Sequence, residues 1–259
     1  MSYRVWMLLL LLSTNCHSQE RGRPRDSDKS TEFNPESQLM RSLSQPPSVL
    51  AYSAPGTPTV MSVEELQLPL KAARELKRST KAYQSGDWRG SATHLEKVLD
   101  IAPQYWPAHA ALGRVYVRLH EYDRAVGEFK QASVGEPRSA EPLNNLSETL
   151  FLLQRYPEAE SVARRSVEVD PSQVVARYIL GCALLAQGRV TTEALEQLRL
   201  STSQIPTARL VLADVFCRRG AVAEAAAELR SYLEVVDAPE KKQVQSWLAQ
   251  LTRNAVIGH

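Results

Sequence analysis

The chain has 259 residues, of which 43% are hydrophobic and 23% are charged, a composition typical of a globular protein with one or two domains. Its 31 basic and 29 acidic side chains leave a net charge of +2, which gives no general attraction to nucleic acid or to an acidic membrane. Three cysteines exclude a disulfide-dense scaffold, and 11 glycines exclude a collagen-like chain. We therefore expect a folded protein that has no nucleic-acid partner.

The first 18 residues predict an export signal. Arg4 precedes an unbroken apolar run over residues 5–12, polar residues follow, and Ser18 is a small residue that suits signal peptidase. The run is too short to span a bilayer as a helix. We expect cleavage after residue 18 and a periplasmic or secreted protein; an uncleaved anchor or a chance apolar start is the alternative. Cys16 raises the alternative of a bacterial lipoprotein, which we disfavour because Asn15 stands where a small residue is usual.

Residues 19–62 predict a disordered tail rich in proline and serine. The segment holds six of the 15 prolines and few apolar residues, so it cannot bury enough surface to offset its ordering entropy. A basic cluster at Arg21, Arg23 and Arg25 is balanced by nearby acids. We interpret this segment as a solvated spacer between an envelope surface and a folded domain, joined to that domain by a short lead-in over 63–71.

From about residue 72 onward, the sequence repeats itself every 34 residues. Each unit has two apolar stripes at helical spacing, a short turn between them and a closing proline, which cannot continue a helix. A single pair of helices cannot bury its apolar face alone, so the period predicts a stack of helix pairs. The columns that establish the period are Leu112, Leu146 and Leu180, and Pro103, Pro137 and Pro171.

The second unit carries the most complete set of repeated residues. They are Leu112-Gly113, Tyr116, Ala125, Phe129, Ala132 and Pro137. This set resembles the signature of the tetratricopeptide repeat (TPR) family, and the resemblance extends over about five units. It implies an all-α protein, a right-handed α-solenoid of about five TPR helix pairs that ends in a C-terminal capping helix. The fourth unit needs one inserted residue near Thr191 to keep the alignment.

The alignment divides the chain into the following predicted segments. They are the signal (1–18), the tail (19–62), the lead-in (63–71), a solenoid over 72–239 with units at about 72–105, 106–139, 140–173, 174–205 and 206–239, a capping helix (240–253) and a flexible end (254–259).

The sequence shows no catalytic constellation. It lacks a glycine-rich phosphate loop and a G-x-S-x-G elbow, and His109 and His120 are 11 residues apart, which is not the spacing of metal ligands. We therefore expect no enzyme activity, cofactor, metal or small-molecule substrate; an active site completed by a partner is an alternative that no motif supports. Cys182 and Cys217 lie on the first helices of adjacent units, and either a disulfide or two small buried apolar residues would fit, the second being favoured.

The resemblance also implies where a partner would bind. In stacked helix pairs of this family the first helix of each unit lines a concave groove, and the repeat alignment identifies the side chains that face it. The candidate partner-binding residues are Tyr83, Arg114, Val117, Asn144, Glu148, Phe151, Tyr178 and Leu185. We interpret them as an apolar strip with Arg114 and Glu148 as isolated charges beside it, while Tyr83 and Phe151 would alternatively pack between helices.

Some proteins of this family hold a partner's C-terminal carboxylate with basic and amide side chains. Asn145 is the one residue here that matches such a clamp, and Ala110, Val175 and Ile179 occupy its basic places. We therefore expect a different mode of recognition. The sequence favours an exported, non-catalytic scaffold that binds a protein or peptide of unknown identity in the groove. The alternative is a structural subunit of an envelope assembly that packs through its convex or end surfaces.

The export signal leads to a direct prediction. Because a small residue at 18 follows the apolar run, N-terminal sequencing of the protein purified from its source should begin at or near Gln19. Fractionation should place it outside the cytoplasm. Recovery of Met1 or Ser2 from a cytosolic fraction would contradict the signal.

Overall fold

The computed structural model describes residues 68–236 and 241–257, with side chains up to residue 253. The predicted signal, tail and most of the lead-in fall outside this range. All regular structure in the described part is helical, and we number its eleven helices in chain order. They are α1 (Leu70–Gln84), α2 (Trp88–Ile101), α3 (Trp106–Arg118), α4 (Tyr122–Gly135), α5 (Ala140–Leu152), α6 (Tyr156–Val169), α7 (Val174–Ala186), α8 (Thr192–Ser201), α9 (Thr207–Arg218), α10 (Val222–Val235) and α11 (Lys241–Ile257).

The described residues form two compact units, 68–189 and 190–257. In the first unit, helices pack in pairs, α1 with α2, α3 with α4 and α5 with α6, and each second helix also packs on the following first helix. In addition, α5 contacts both α3 and α7. In the second unit α9 packs on α8 and α10, and α10 packs on α11. This arrangement is the all-α solenoid that the period predicts.

Small side chains allow the two helices of a pair to approach closely. A Cβ atom on Gly113 of α3 would lie 2.6 Å from the ring of Phe129 on α4, so only glycine fits there. In the preceding pair, Ser79 and Ser91 meet across the same interface with their hydroxyl oxygens 3.1 Å apart. Small buried residues occupy the equivalent positions of the first and second helices. They are Ser79, Gly113, Ser147, Gly181 and Ala213 on the first helices, and Ser91, Ala125, Ala159, Ala194 and Ala225 on the second.

The turn inside each repeat places one residue in the left-handed region. Gly86, Gly188 and Gly220 have φ of 80°, 74° and 72°, and His120 and Gln154 take the same place with φ of 61°. The next N–H then returns to the carbonyl five residues earlier, as in Glu121 to Tyr116 at 2.8 Å, which closes the helix end. His120 and Gln154 therefore hold a backbone conformation that ordinarily favours glycine.

The fourth repeat departs from the regular length at both ends of its second helix. The Thr191 hydroxyl accepts a hydrogen bond from the Ala194 N–H at 3.2 Å and caps α8, which begins at Thr192, 36 residues after the start of α6 at Tyr156 and so two residues later than the 34-residue step. Ala194 is fully buried 35 residues after Ala159, as the inserted residue requires. At its other end α8 stops after 10 residues at Ser201, and α9 begins at Thr207, so the connection between them has five residues where the earlier connections between units have four.

The last helix covers the end of the second unit. Its buried Val244 and Trp247 pack in one cluster with four residues of α9 and α10, which are Leu210, Ala213, Leu229 and Tyr232. The helix continues to Ile257, four residues beyond the predicted end of the capping helix at 253. No proline or glycine interrupts residues 254–257, so the helical backbone extends until Gly258.

Phe129 provides a test of the repeat register. Its side chain has no exposed area and contacts the glycine surface of α3, so Phe129→Ala should lower the free energy of unfolding by about 3–5 kcal/mol. The control is Val134→Ala in the same helix, which shortens a side chain that is 74% exposed and should change the free energy of unfolding by less than about 0.5 kcal/mol. Urea unfolding followed by circular dichroism measures both. Equal effects of the two substitutions would contradict the register.

Candidate partner-binding site

The eight predicted partner-binding residues lie on α1, α3, α5 and α7 of the first compact unit. We call the surface formed by these side chains the first-helix face. Because α5 contacts both α3 and α7, the structure brings together the members carried by these three helices. Their role in binding stays a prediction.

Two aromatic side chains on this face are half-buried and are held by ring contacts. Tyr83 meets Trp88 edge to face with ring centroids 4.8 Å apart, and Phe151 meets Tyr156 at 5.4 Å. Trp88 and Tyr156 are each the first residue of a second helix, so each ring contact fixes the two helices of one pair. Tyr83 and Phe151 therefore help to pack the helices and also keep part of their surface at the first-helix face.

The aliphatic members of the same column are more deeply placed. Val117 is 8% exposed and Leu185 is 6% exposed. They contribute mainly to the interior beneath the face, because little of either side chain is accessible to a partner. The accessible part of the column consequently comes from the two aromatic residues.

Arg114 is not the isolated charge that the sequence suggested. Its Nη1 donates to Oε1 of Glu141 at 2.8 Å, across the boundary between two units of the repeat. The side chain of Glu141 is 53% exposed, so this is a surface ion pair that contributes at most about 1 kcal/mol. The column alignment missed it because it compares equivalent positions and does not reveal contacts between different positions of neighbouring units.

Both the nitrogen and the oxygen of the Asn144 side-chain amide make hydrogen bonds within the protein. Its Nδ2 donates to Oε1 of Gln173 at 2.5 Å, and its Oδ1 accepts from the hydroxyl of Ser166 at 2.6 Å. The bonds join α5 to α6 and to the residue before α7. Asn144 thus positions the helices that carry the face, and a partner would have to compete with these bonds to use the amide.

Tyr178 and Cys182 lie one turn apart on α7 and share a hydrogen bond. Burial raises the pKa of the Cys182 thiol to about 12, so this thiol is protonated at neutral pH. Cys217, on α9 of the second compact unit, is also present as a thiol.

Glu148 is the most unusual side chain of the face. It is 4% exposed, and among the described residues none donates a hydrogen bond to its carboxyl group. Burial raises its pKa to about 7, so the group ionises near neutrality. Its equivalents in the adjacent units are Arg114 and Cys182, whose own bonds are made elsewhere. The sequence predicted a charge here and did not reveal that the charge is desolvated.

Arg118 is a residue of this face that the repeat alignment overlooked. Its guanidinium lies 5.7 Å from the centre of the Trp88 ring, and its buried Nε has no hydrogen-bond partner in the described part of the chain. Arg118 follows Arg114 by four residues on α3, and residues at this spacing lie on the same side of a helix. That spacing is the sequence signal that would have identified it.

The described residues show neither a metal site nor a membrane span. They contain no group of three or more His, Cys, Asp or Glu side chains that could hold a metal ion. No described helix is long and apolar enough to cross a bilayer. His109 has a structural environment, since its Nδ1 lies 2.7 Å from Oε2 of Glu128 and its Nε2 lies 3.0 Å from the carbonyl oxygen of Pro103.

Two tetratricopeptide repeat models match residues 82–141, and 150–201 with 180–241, together more than half of the chain. The chain belongs to the tetratricopeptide repeat family. TPR proteins are in general non-catalytic scaffolds, and the fold indicates protein–protein interaction as the general role of the present chain.

Similarity to individual TPR proteins is partial. Over 101 residues, 36% of this chain and 40% of the relative, the chain is 33% identical to the type IV pilus assembly protein PilF of Pseudomonas aeruginosa. Over 112 residues, 42% of this chain, it is 30% identical to the small glutamine-rich tetratricopeptide repeat-containing protein 2 of Mycosarcoma maydis, of which it covers 31%. The chain thus spans less than half the length of these relatives.

Solved structures share the fold. Pseudomonas aeruginosa pilF matches with a TM-score of 0.60 at 21% identity, covering 71% of this chain and 86% of that chain. MamA of Desulfovibrio magneticus RS-1 matches with a TM-score of 0.60 at 18% identity, covering 65% and 96%. YrrB, described as a TPR protein with an unusual peptide-binding site, matches with a TM-score of 0.57 at 20% identity, covering 68% and 90%.

The buried carboxyl group makes stability depend on pH in a defined direction. The pKa of Glu148 is raised on folding, so the protonated acid favours the folded state, and stability is lost as pH rises through the range from about 4.5 to 7. At pH 8, Glu148→Gln should therefore have a higher free energy of unfolding than wild type. This gain over wild type should be larger at pH 8 than at pH 5, by up to about 3 kcal/mol.

Urea unfolding of both proteins at the two pH values measures this difference. Glu168→Gln, at an exposed position of α6, is the matched control and should differ from wild type by less than about 0.5 kcal/mol. A Glu148→Gln effect that is the same at pH 5 and pH 8 would show that Glu148 ionises normally.

Proposed function

We propose that this TPR protein is an exported, non-catalytic scaffold that binds an extended peptide or a helix of a partner protein on its first-helix face. The main observation that supports this proposal is the fixed placement of two half-buried aromatic side chains, Tyr83 and Phe151, which lie two repeats apart on one face. Rings held in this way bind with little loss of conformational freedom, which favours their use as anchors.

Charge and comparison support the same proposal. The aromatic side chains share the face with the ion pair of Arg114 and Glu141 and with the desolvated carboxyl group of Glu148. An apolar centre with a few charged groups is typical of surfaces that bind a specific segment of protein. YrrB, whose structure has the same fold, has a peptide-binding site according to its description.

A second candidate is a structural subunit of an envelope assembly that packs through convex or end surfaces. The observation that favours it is the similarity to PilF, which is named as a type IV pilus assembly protein. The export that both candidates require depends on the predicted signal over residues 1–18. The two candidates differ in the surface used, so substitutions on the first-helix face separate them.

Tyr83→Ala and Phe151→Ala provide the test of the binding face. Loss of a buried aromatic contact is worth about 1.5–3 kcal/mol, so each substitution should weaken binding roughly ten- to a hundredfold. The partner is first captured from the envelope fraction and identified by mass spectrometry. The purified partner is then titrated by calorimetry against wild type and both variants, with folding checked by circular dichroism.

Glu158→Ala is the control, because Glu158 is exposed on α6 and pairs with Arg155 of its own helix end at 2.6 Å. Its affinity for the partner should equal that of wild type. Wild-type affinity in folded Tyr83→Ala and Phe151→Ala would contradict the groove proposal and favour the assembly subunit.

A further inference from the structure

The first described helix has a cationic outer surface. Helix α1 contains five basic side chains and one acidic side chain, whereas residues 85–259 contain 20 basic and 21 acidic side chains. The small net charge of the whole chain therefore conceals a local concentration of positive charge. The exposed residues that carry it recur at steps of three and four, so they lie on one side of α1, and we call this surface the α1 outer face. It consists of Leu70, Lys71, Arg74, Lys77, Arg78 and Lys81.

The repeat explains why this face is open. Arg78 and Lys81 occupy the positions that Leu112 and Val115 occupy in α3, 34 residues later. Leu112 and Val115 are at most 2% exposed, and α3 packs on α2, the second helix of the preceding unit. No helix precedes α1 in the described part of the chain, so the equivalent face of α1 is left uncovered.

A polar end cap does not require this composition. The end helix of a stack has to avoid exposed apolar surface, yet Leu70 is 78% exposed among the cations of α1. The last helix, α11, exposes a mixed set with two cations and two amides. These residues are Lys242, Gln245, Ala249, Gln250 and Arg253. An exposed leucine beside five cations therefore indicates a ligand rather than solvent alone.

Most of these cations have no opposite charge beside them. Arg78 pairs with Oε1 of Glu75 at 2.5 Å. The other four have neither an ion pair nor a side-chain hydrogen bond among the described residues, and they are Lys71, Arg74, Lys77 and Lys81. Like charges at this spacing repel one another, and the helix dipole disfavours a cation in the first turn, where Lys71 lies. An anionic surface would offset both effects.

The shape of the face favours a flat ligand. From Lys71 to Lys81 it extends about 15 Å along the convex side of a single helix, which provides no groove for an extended peptide. Lysine and arginine side chains are long enough to reach lipid headgroups, while an apolar side chain such as Leu70 enters the interface beside them. Clusters of basic residues on one helix are typical of surfaces that bind anionic lipids. No described helix is long and apolar enough to span a bilayer, so such contact would be peripheral.

We propose that the α1 outer face docks the protein on the surface of a membrane that contains anionic phospholipids. The basic side chains contact the headgroups, and Leu70 enters the boundary of the acyl chains. This proposal goes beyond the proposed function and does not depend on peptide binding. Tyr83 lies on the opposite side of α1 by helical spacing, so the first-helix face stays open to a partner while α1 contacts the membrane.

Vesicle flotation with the full chain tests this docking. The vesicles consist of phosphatidylcholine alone or of equal parts phosphatidylcholine and phosphatidylglycerol. Wild type should bind the anionic vesicles more tightly than the neutral ones, and added salt should weaken that binding. Each basic residue near an anionic bilayer contributes about fivefold in affinity, so the α1 triple variant, Arg74→Ala with Lys77→Ala and Lys81→Ala, should bind about a hundredfold more weakly.

A charge-matched control separates the face from the net charge. The control triple variant, Lys130→Ala with Arg138→Ala and Arg165→Ala, removes three exposed cations that lie outside α1. Its affinity for anionic vesicles should stay within about threefold of wild type. An equal loss in both triple variants would show that only net charge matters and would overturn the proposal. Binding that is the same on neutral and anionic vesicles, as the apolar run over residues 5–12 would give, would also overturn it.

Leu70 provides a second test that does not change the charge. Leu70→Ser should weaken binding to the anionic vesicles about tenfold, because the apolar side chain no longer enters the interface. Val134→Ser is the matched control, since Val134 is 74% exposed on α4, and it should bind as wild type does. Both residues are exposed, so both variants should fold, which circular dichroism checks. Wild-type binding by Leu70→Ser would overturn the placement of Leu70 in the membrane.

Two other occupants of the face give different results, and either would overturn the proposal. An acidic segment of another protein would be indicated if wild type bound labelled poly-glutamate, lost that binding in the α1 triple variant and did not bind anionic vesicles. A second copy of the chain would be indicated if sedimentation showed a wild-type dimer and a monomeric α1 triple variant. The vesicle assay contains no peptide or partner protein, so its failure would leave the proposed function intact.

Discussion

The close approach of two helices within each pair is the contact on which the rest of the structure depends. The ring of Phe129 occupies the space that a side chain on Gly113 would need, and Ser79 and Ser91 meet with their hydroxyl groups 3.1 Å apart at the equivalent interface. Contacts this close restrict the relative placement of the two helices in the pairs α1 with α2 and α3 with α4. The turn with one left-handed residue, which recurs in every repeat, is then the connection that this placement allows.

The regular geometry of the helix pairs places equivalent residues of successive repeats on one surface. Because α3, α5 and α7 adopt equivalent positions, residues that occur at 34-residue steps become neighbours on one face. The same regularity places Tyr83 and Phe151 against the first aromatic residue of the following helix. A surface built in this way is largely preformed, which lowers the entropic loss on binding an extended ligand.

The period, the helix pairs and the capping helix could be predicted from the sequence because they depend on apolar spacing and on small residues within one unit. The inserted residue at Thr191 could be predicted for the same reason. Contacts between different positions of neighbouring units could not, and the pairs Arg114–Glu141 and Asn144–Gln173 are of this kind. The desolvation of Glu148 also escaped prediction, since it depends on what surrounds the side chain in three dimensions.

Photo-crosslinking inside cells that produce the protein tests most directly whether the first-helix face is the binding surface. A benzoylphenylalanine residue is placed at position 83 or 151 on the face, or at position 130 on the outer helix α4, where Lys130 is exposed. The account predicts that irradiation links the same partner to positions 83 and 151 and leaves position 130 unlinked. A partner linked at position 130 alone would contradict it.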